Sequence, residues 1–181
     1  MKESIVGNKI ILRQLRDEDA EFFVRWYNEP EIMFECGFTE PTSLEAELKA
    51  IHSTAADRDW YAITDLSGKI VGEAGLLRIN TDWNCTDMSM IIPNPSDQGK
   101  GYGSEAGQLI LDRAFDHHNM NRVAIGVVAL NTRALKYWER LGFRKEGIQE
   151  QGYFYNGEYS DFIMMRILKG EYIKIRKQEN K

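Results

Sequence analysis

The stretch Gln98-Gly99-Lys100-Gly101-Tyr102-Gly103-Ser104-Glu105-Ala106 stands between a loop, Pro93-Asn94-Pro95-Ser96-Asp97, and a segment of helical period. Glycine at alternate positions lets the backbone turn tightly and brings successive amides to one point. With the positive end of a helix behind them, those amides form an anion site suited to a phosphate or pyrophosphate. Lys100 adds a positive point charge. The stretch therefore predicts a phosphorylated ligand.

Several motifs compete for it. The P-loop pattern is absent. The dinucleotide fingerprint is met formally by Gly101, Gly103 and Ala106 and would mean an NAD(P)-linked oxidoreductase. It requires an acid at the end of the next strand, however, and that strand closes on Val127-Val128-Ala129-Leu130-Asn131. Glycines serving only a tight turn are the plainest alternative. The pattern Gln/Arg-x-x-Gly-x-Gly/Ala is met at each specified position, by Gln98, Gly101 and Gly103.

Outward from this loop the chain alternates in period. Asn8 to Leu15 reads as a strand. Asp17 is a plausible N-cap for a helix running to about Asn28, where Glu29-Pro30 stops it. The prolines at 30 and 41, like those at 93 and 95, read as loops. Ser43 opens a second helix to about Ala56. Trp60–Thr64, Ile70–Ile79 and Met88–Ile92 read as an antiparallel meander, with Ser67-Gly68 as a turn. A helix spans Gly101 to about His117, a strand Arg122 to Ala129, and a helix Asn131 to Leu141 closed by Gly142. Asn156-Gly157 signals a type I′ hairpin. The expected class is α+β: a mixed, largely antiparallel central sheet with helices on both faces.

The chain has 181 residues, 43% hydrophobic and 28% charged. That is ordinary globular composition, and it points to one domain over 1–181 with a core of about 8–170. No apolar run is long enough to span a membrane and the N-terminus does not resemble a signal peptide, so a cytoplasmic protein is expected. Cys36 and Cys85 have no metal-ligand spacing and read as free thiols. The net charge of −5 sits wholly within residues 1–50, which hold 11 acids and 6 bases. An acidic chain is a poor binder of nucleic-acid backbones. An acidic N-terminal surface favours a cationic partner, or is simply a solvated face.

The glycine-rich loop, together with Asn131-Thr132-Arg133-Ala134 and the helix ending Leu141-Gly142-Phe143, resembles the two spaced signatures of the GNAT superfamily of acetyl-CoA-dependent N-acetyltransferases. Ile70-Val71-Gly72-Glu73-Ala74-Gly75-Leu76 resembles that family's central strand. The segment Tyr155–Asp161 with Met164-Met165 is similar to ribosomal-protein N-terminal acetyltransferases and spermidine acetyltransferases. The resemblance implies that acetyl-CoA is the cosubstrate and that no metal takes part. Its pyrophosphate would lie on Gly99, Lys100, Gly101, Tyr102, Gly103 and Ser104, after Gln98. Its pantetheine arm would pair with the splayed strand at Ile91 and Ile92, and Asn131 would contact it. Asn131 also reads as an N-cap. Homodimers are common among similar proteins.

The implied chemistry is direct attack of a neutral amine on the thioester. Glu73 is the candidate base; the alternative is a strand carboxylate facing solvent. Many relatives carry a tyrosine seven residues after the asparagine as general acid, and here that position is Trp138. Trp138 is expected to shape the acyl slot. Tyr137, the neighbouring phenol, is the second catalytic candidate, although one helical residue turns a side chain by about 100° and aims it elsewhere. The absent tyrosine leaves a second reading open, a catalytically silent CoA-binding regulatory module. The acceptor side falls among the N-terminal helices, where Glu29, Glu31, Glu35 and Glu40 interleave with Trp26, Tyr27, Phe34 and Phe38. Acid with aromatic suits a cationic amine: a polyamine, an aminoglycoside or a basic protein N-terminus.

Overall fold

Apolar residues at alternate positions order the sheet, and their partners on its two faces fix where the helices lie. The computed structural model describes residues 3–179. A short strand β1 (Ile5–Val6) pairs with β2 (Ile10–Arg13), and a 3-10 turn at Asp17–Asp19 leads into α1 (Ala20–Tyr27). Helices α2 (Pro30–Cys36) and α3 (Leu44–Ile51) follow. The meander is β3 (Asp59–Asp65), β4 (Ile70–Asn80) and β5 (Cys85–Ile91). After a 3-10 turn at Pro95–Asp97 comes α4 (Tyr102–Asp112), extended by a π turn over Arg113–His117. The rest is β6 (Arg122–Val128), α5 (Thr132–Arg140), β7 (Arg144–Tyr155), β8 (Glu158–Leu168) and α6 (Lys169–Glu179).

The strands form one eight-stranded sheet in the order β1-β2-β3-β4-β5-β6-β8-β7. Every neighbouring pair is antiparallel except β5 with β6. One core joins Ile10, Leu12, Tyr61, Ile63, Ile110 and Phe115 with residues of α5 and α6. A second, smaller core gathers Phe23, Tyr27 and Ile32 of α1 and α2 against Ile70 and Ile91. Helices thus cover both faces, as the pattern predicted.

Several boundaries differ from the sequence reading. Asp17 is not the N-cap; Asp19 is the acid that braces this turn, accepting from the Arg16 amide at 2.8 Å and from both Arg13 guanidinium nitrogens at 2.7 Å. The segment after Pro30 is helical, because proline at the first helical turn lacks only an N–H that would have no partner there. Gly37, at φ 76°, closes α2 in the left-handed conformation. The helix opened by Ser43 ends at Ile51, and the one opened at Gly101 becomes a π turn after Asp112. The short β1 and the C-terminal α6 also lie outside the sequence reading. Asn156 and Gly157, at φ 50° and 84°, make the expected hairpin turn.

Candidate functional site

The parallel pair β5/β6 is where the sheet opens. Their ladder covers Cys85–Asp87 against Arg122–Ala124 and stops there. Beyond it, β5 continues to pair with β4 as far as Ile91, and β6 with β8 as far as Val128. The strands diverge, and the gap is a cavity of about 350 Å³. Ile91 and Ile92 of the β5 end, Gln98 to Ser104 of the glycine-rich turn other than Lys100 and Tyr102, and Asn131, Tyr137 and Trp138 of the α5 region are among the residues that line it.

Gly99 and Gly101 take φ of 73° and 87°, a conformation glycine adopts without strain. Gly101 is the N-cap of α4 and offers no side chain to the helix amides. The first intrahelical bond runs from the Glu105 amide to the Gly101 carbonyl at 3.1 Å, so the amides of 102–104 have no partner within the helix. Glu105 anchors the loop from below, accepting from the backbone amides of Asn8 and Lys9 at 2.7 Å each and of Ile10 at 3.0 Å. Beneath the loop, Asp97 is bound by Lys69 Nζ at 2.9 Å and Lys100 Nζ at 3.0 Å. Lys100 and Tyr102 lie outside this cavity and line a shallow depression with Lys9. The point charge expected of Lys100 is thus already paired with Asp97.

Gln98 acts as a brace: Nε2 donates to the Ile92 carbonyl at 2.9 Å, and Oε1 accepts from Arg133 at 2.5 Å. Asn131 caps α5, its Oδ1 accepting from the Ala134 amide at 3.0 Å, and its Nδ2 reaches the Glu35 carbonyl at 3.1 Å. Arg133 also holds the Glu35 carboxylate at 2.7 Å. These bonds pin the C-terminal end of α2 over the cavity.

Tyr137 does not face elsewhere, as the helical rotation suggested. It lines the same cavity as Trp138, with Arg133 and Ala134 one turn earlier, because the cavity borders a broad face of α5. Its hydroxyl donates to the Gly103 carbonyl at 2.8 Å. Glycine at 107 makes room for it: a Cβ there would stand 2.4 Å from Tyr137 Oη. Burial pushes the Tyr137 phenol above its ordinary value. Trp138 is buried, edge-on to Phe143 at 5.2 Å between ring centroids. Cys36 borders the cavity as well, and burial, with help from Glu35, pushes its thiol up to about 12.

A second cavity of about 560 Å³ lies on the α1–α3 side, and Ile91 borders both. Glu73 sits in its wall, not in solvent, with a relative exposure of 9%. Tyr27 Oη donates to Glu73 Oε1 at 2.6 Å and Trp60 Nε1 to Oε2 at 2.7 Å. Burial raises the Glu73 carboxyl above its ordinary value, and the two donated bonds only partly offset it. Glu40, Glu47, Phe38 and Arg58 complete the wall. Glu29, Glu31, Trp26 and Phe34 line neither cavity; Phe34 packs on Tyr153 and Tyr155. Sequence reasoning missed Trp60 and Arg58, which lie far from the acidic stretch.

The histidines stand apart. His52 contacts Asp17, and His118 contacts the buried Asp59 on the α4 side of the sheet. Among the described residues no cluster of three or more His, Cys, Asp or Glu could hold a metal, and no helix is long and apolar enough to cross a membrane.

Residues 9–144 match the family model of the acetyltransferase (GNAT) domain. The chain belongs to the GNAT acetyltransferase family. It is an acetyl-CoA-dependent N-acetyltransferase, similar along its length to proteins of that activity. The spermidine N(1)-acetyltransferase of Vibrio cholerae is 30% identical over 93% of this chain and 98% of its own length. That of Escherichia coli K12 is 29% identical over 92% and 90%. A crystal structure of the Vibrio cholerae spermidine N-acetyltransferase with CoA and spermine superposes with a TM-score of 0.83 at 28% identity, covering 92% of this chain and 99% of that one.

Proposed function

We propose that this acetyltransferase moves the acetyl group of acetyl-CoA onto a primary amine of a cationic acceptor, with a polyamine ahead of an aminoglycoside or a protein N-terminus. The observation that carries this is the pair of cavities that Ile91 borders, one floored by free helix amides, the other walled by a buried carboxylate. The likeness to spermidine acetyltransferases favours the polyamine. The carboxylates of Glu40, Glu47 and Glu73 around the second cavity suit a cation. The comparisons lend no support to a catalytically silent module.

In this reading the pyrophosphate rests on the amides from Gly99 to Ser104, and the pantetheine arm enters the gap beside Ile91 and Ile92. An alkylammonium, of pKa about 10.4, gives its proton to Glu73 directly or through water. The amine nitrogen then attacks the thioester carbon, and a backbone N–H near Ile91 or Ile92 receives the oxyanion. As the C–S bond breaks, the second proton of the attacking nitrogen passes through water, or through the Tyr137 hydroxyl that it then restores, to the departing thiolate, and CoA leaves as thiol. The products are the acetylated amine, CoA thiol and the proton held by Glu73. Direct transfer is favoured over an acyl-enzyme, because a thiol held neutral, as at Cys36, is a poor nucleophile.

Thermal denaturation with acetyl-CoA, CoA and NAD(P) in parallel tests the cosubstrate. Acetyl-CoA at 100 times its dissociation constant stabilises by about 2.7 kcal/mol. Stabilisation by NAD(P) instead overturns the assignment. Gly103→Val should abolish the acetyl-CoA effect: a Cβ at 103 is in ordinary contact with Met90 Cε at 3.4 Å and Ile92 Cδ1 at 3.6 Å, and the two further methyls would crowd the amides on which the pyrophosphate is proposed to rest. Thiol release with spermidine, an aminoglycoside and a basic peptide then ranks the acceptors; no release with any of them removes the transfer reading.

A further inference from the structure

The register of β3, β4 and β5 places Ala62, Glu73 and Ile91 in one row across the sheet, and Trp60, Gly75 and Ser89 two positions along, in the next row on the same face. Trp60 is therefore a diagonal neighbour of Glu73, not its direct partner. An indole in that position reaches the carboxylate by lying across β4, over Gly75. A Cβ on Gly75 would stand 2.5 Å from the Asp59 carbonyl oxygen and 2.6 Å from Trp60 Cε3, so glycine is needed both for the approach of the β3 backbone and for the ring. The Arg58 guanidinium lies 4.4 Å from the centroid of the same ring. From the opposite side α1 brings Tyr27, buried and packed against Phe23 and Phe38, to the other oxygen of Glu73. Two rigid aromatic donors of separate elements thus hold one carboxylate at both oxygens.

We infer that Tyr27 and Trp60 are positioning residues that fix the direction of the Glu73 carboxylate toward the shared border at Ile91, with Gly75 and Arg58 seating the indole. This rests on Glu73 being the base proposed above. Each donated bond uses one lone pair of its oxygen and leaves another for the incoming proton. Both donors favour the ionised form, the form a base needs. The groups facing Glu73 are Tyr27 from α1, Cys36 from α2, Glu47 from α3 and Arg58 ahead of β3. Of these, Arg58 favours the ionised carboxylate and Glu47 opposes it.

The test is the pH profile of kcat/KM with acetyl-CoA and spermidine for the full chain and for Tyr27→Phe, Trp60→Phe and Glu73→Gln. Losing a donor destabilises the carboxylate, so the acid limb of Tyr27→Phe and Trp60→Phe should move to higher pH. The expected loss is roughly threefold to tenfold on the plateau above the limb, where the carboxylate is ionised but misdirected, and larger on the acid side, with acetyl-CoA affinity unchanged. A plateau that recovers in full, or an unmoved limb, overturns the proposal. If one variant does not fold, the side-chain carboxyl of Glu73, titrated by 13C NMR in the other, decides: it must titrate at higher pH than in the parent chain. Full turnover by Glu73→Gln would instead remove Glu73 as base, a separate failure that leaves the transfer reaction standing.

Discussion

Asp97 and Glu73 are both buried carboxylates beside the site, exposed to only 2% and 9%, yet their surroundings differ in kind. Asp97 is bound by two ammonium groups, those of Lys69 and Lys100. Burial pushes its carboxyl up, but the two lysines together outweigh that and hold it below its ordinary value. Glu73 is bound by a phenol and an indole, neither of which carries charge, and its carboxyl stays raised. Both side chains are shielded from solvent contact, yet their chemistry is opposite, set by how deeply each lies as well as by its partners. A carboxylate neutralised by cations holds a loop, whereas one given only neutral donors remains able to take a proton.

The largest effect that would break this contrast is on turnover. Glu73→Gln should lower kcat by about 10²–10⁴-fold with acetyl-CoA binding intact, read by thiol release and calorimetry. The amide oxygen can accept from Trp60, and the amide nitrogen can donate to the Tyr27 oxygen, so packing survives. Asp97→Asn should do the reverse, weakening acetyl-CoA binding while kcat at saturation stays within about twofold.

Stability sharpens the same contrast. The Glu73 carboxyl is raised above its unfolded value of about 4.3, so its contribution to stability is present in acid and lost as pH rises through the folded value. At neutral pH Glu73→Gln should therefore raise Tm by about 2–4 °C. The Asp97 carboxyl is depressed, so its contribution is present above about pH 3.9 and lost as pH falls through the folded value. Asp97→Asn should lower Tm at neutral pH by about 2–4 °C, with a difference from the parent that shrinks in strong acid. The smallest effect is expected at Tyr137→Phe, about fivefold or less in kcat, since a thiol of pKa about 8.5 leaves readily as thiolate.

What could be read from the sequence was what neighbouring residues determine together. Gly99 and Gly101 announce their positive φ, Asn131 its cap and Asn156-Gly157 its turn, because each acts within a few positions of itself. Glu73 was visible as a carboxylate on the right strand, but not as a buried one. Its surroundings depend on the register that sets Trp60 opposite Gly75, and no local pattern contains that. Lys69 reaches Asp97 across 28 positions of chain. Pro30 misled because proline opens a helix as readily as it ends one. The missed helix α2 then proved to cover the cavity through Glu35. The offset between Tyr137 and Trp138 is real along the helix, but a cavity that borders a broad face of α5 takes in both.

The divergence of β5 from β6 has a consequence for amide exchange. From Met88 to Ile91 one side of β5 faces no neighbouring strand, so the sheet carries an interior edge as well as its two outer ones. Deuterium uptake there should slow when a ligand fills the gap, while the fully paired β3 exchanges at an unchanged rate relative to global opening. In the proposed reading the sheet is one strand short, and the pantetheine arm would supply the missing one.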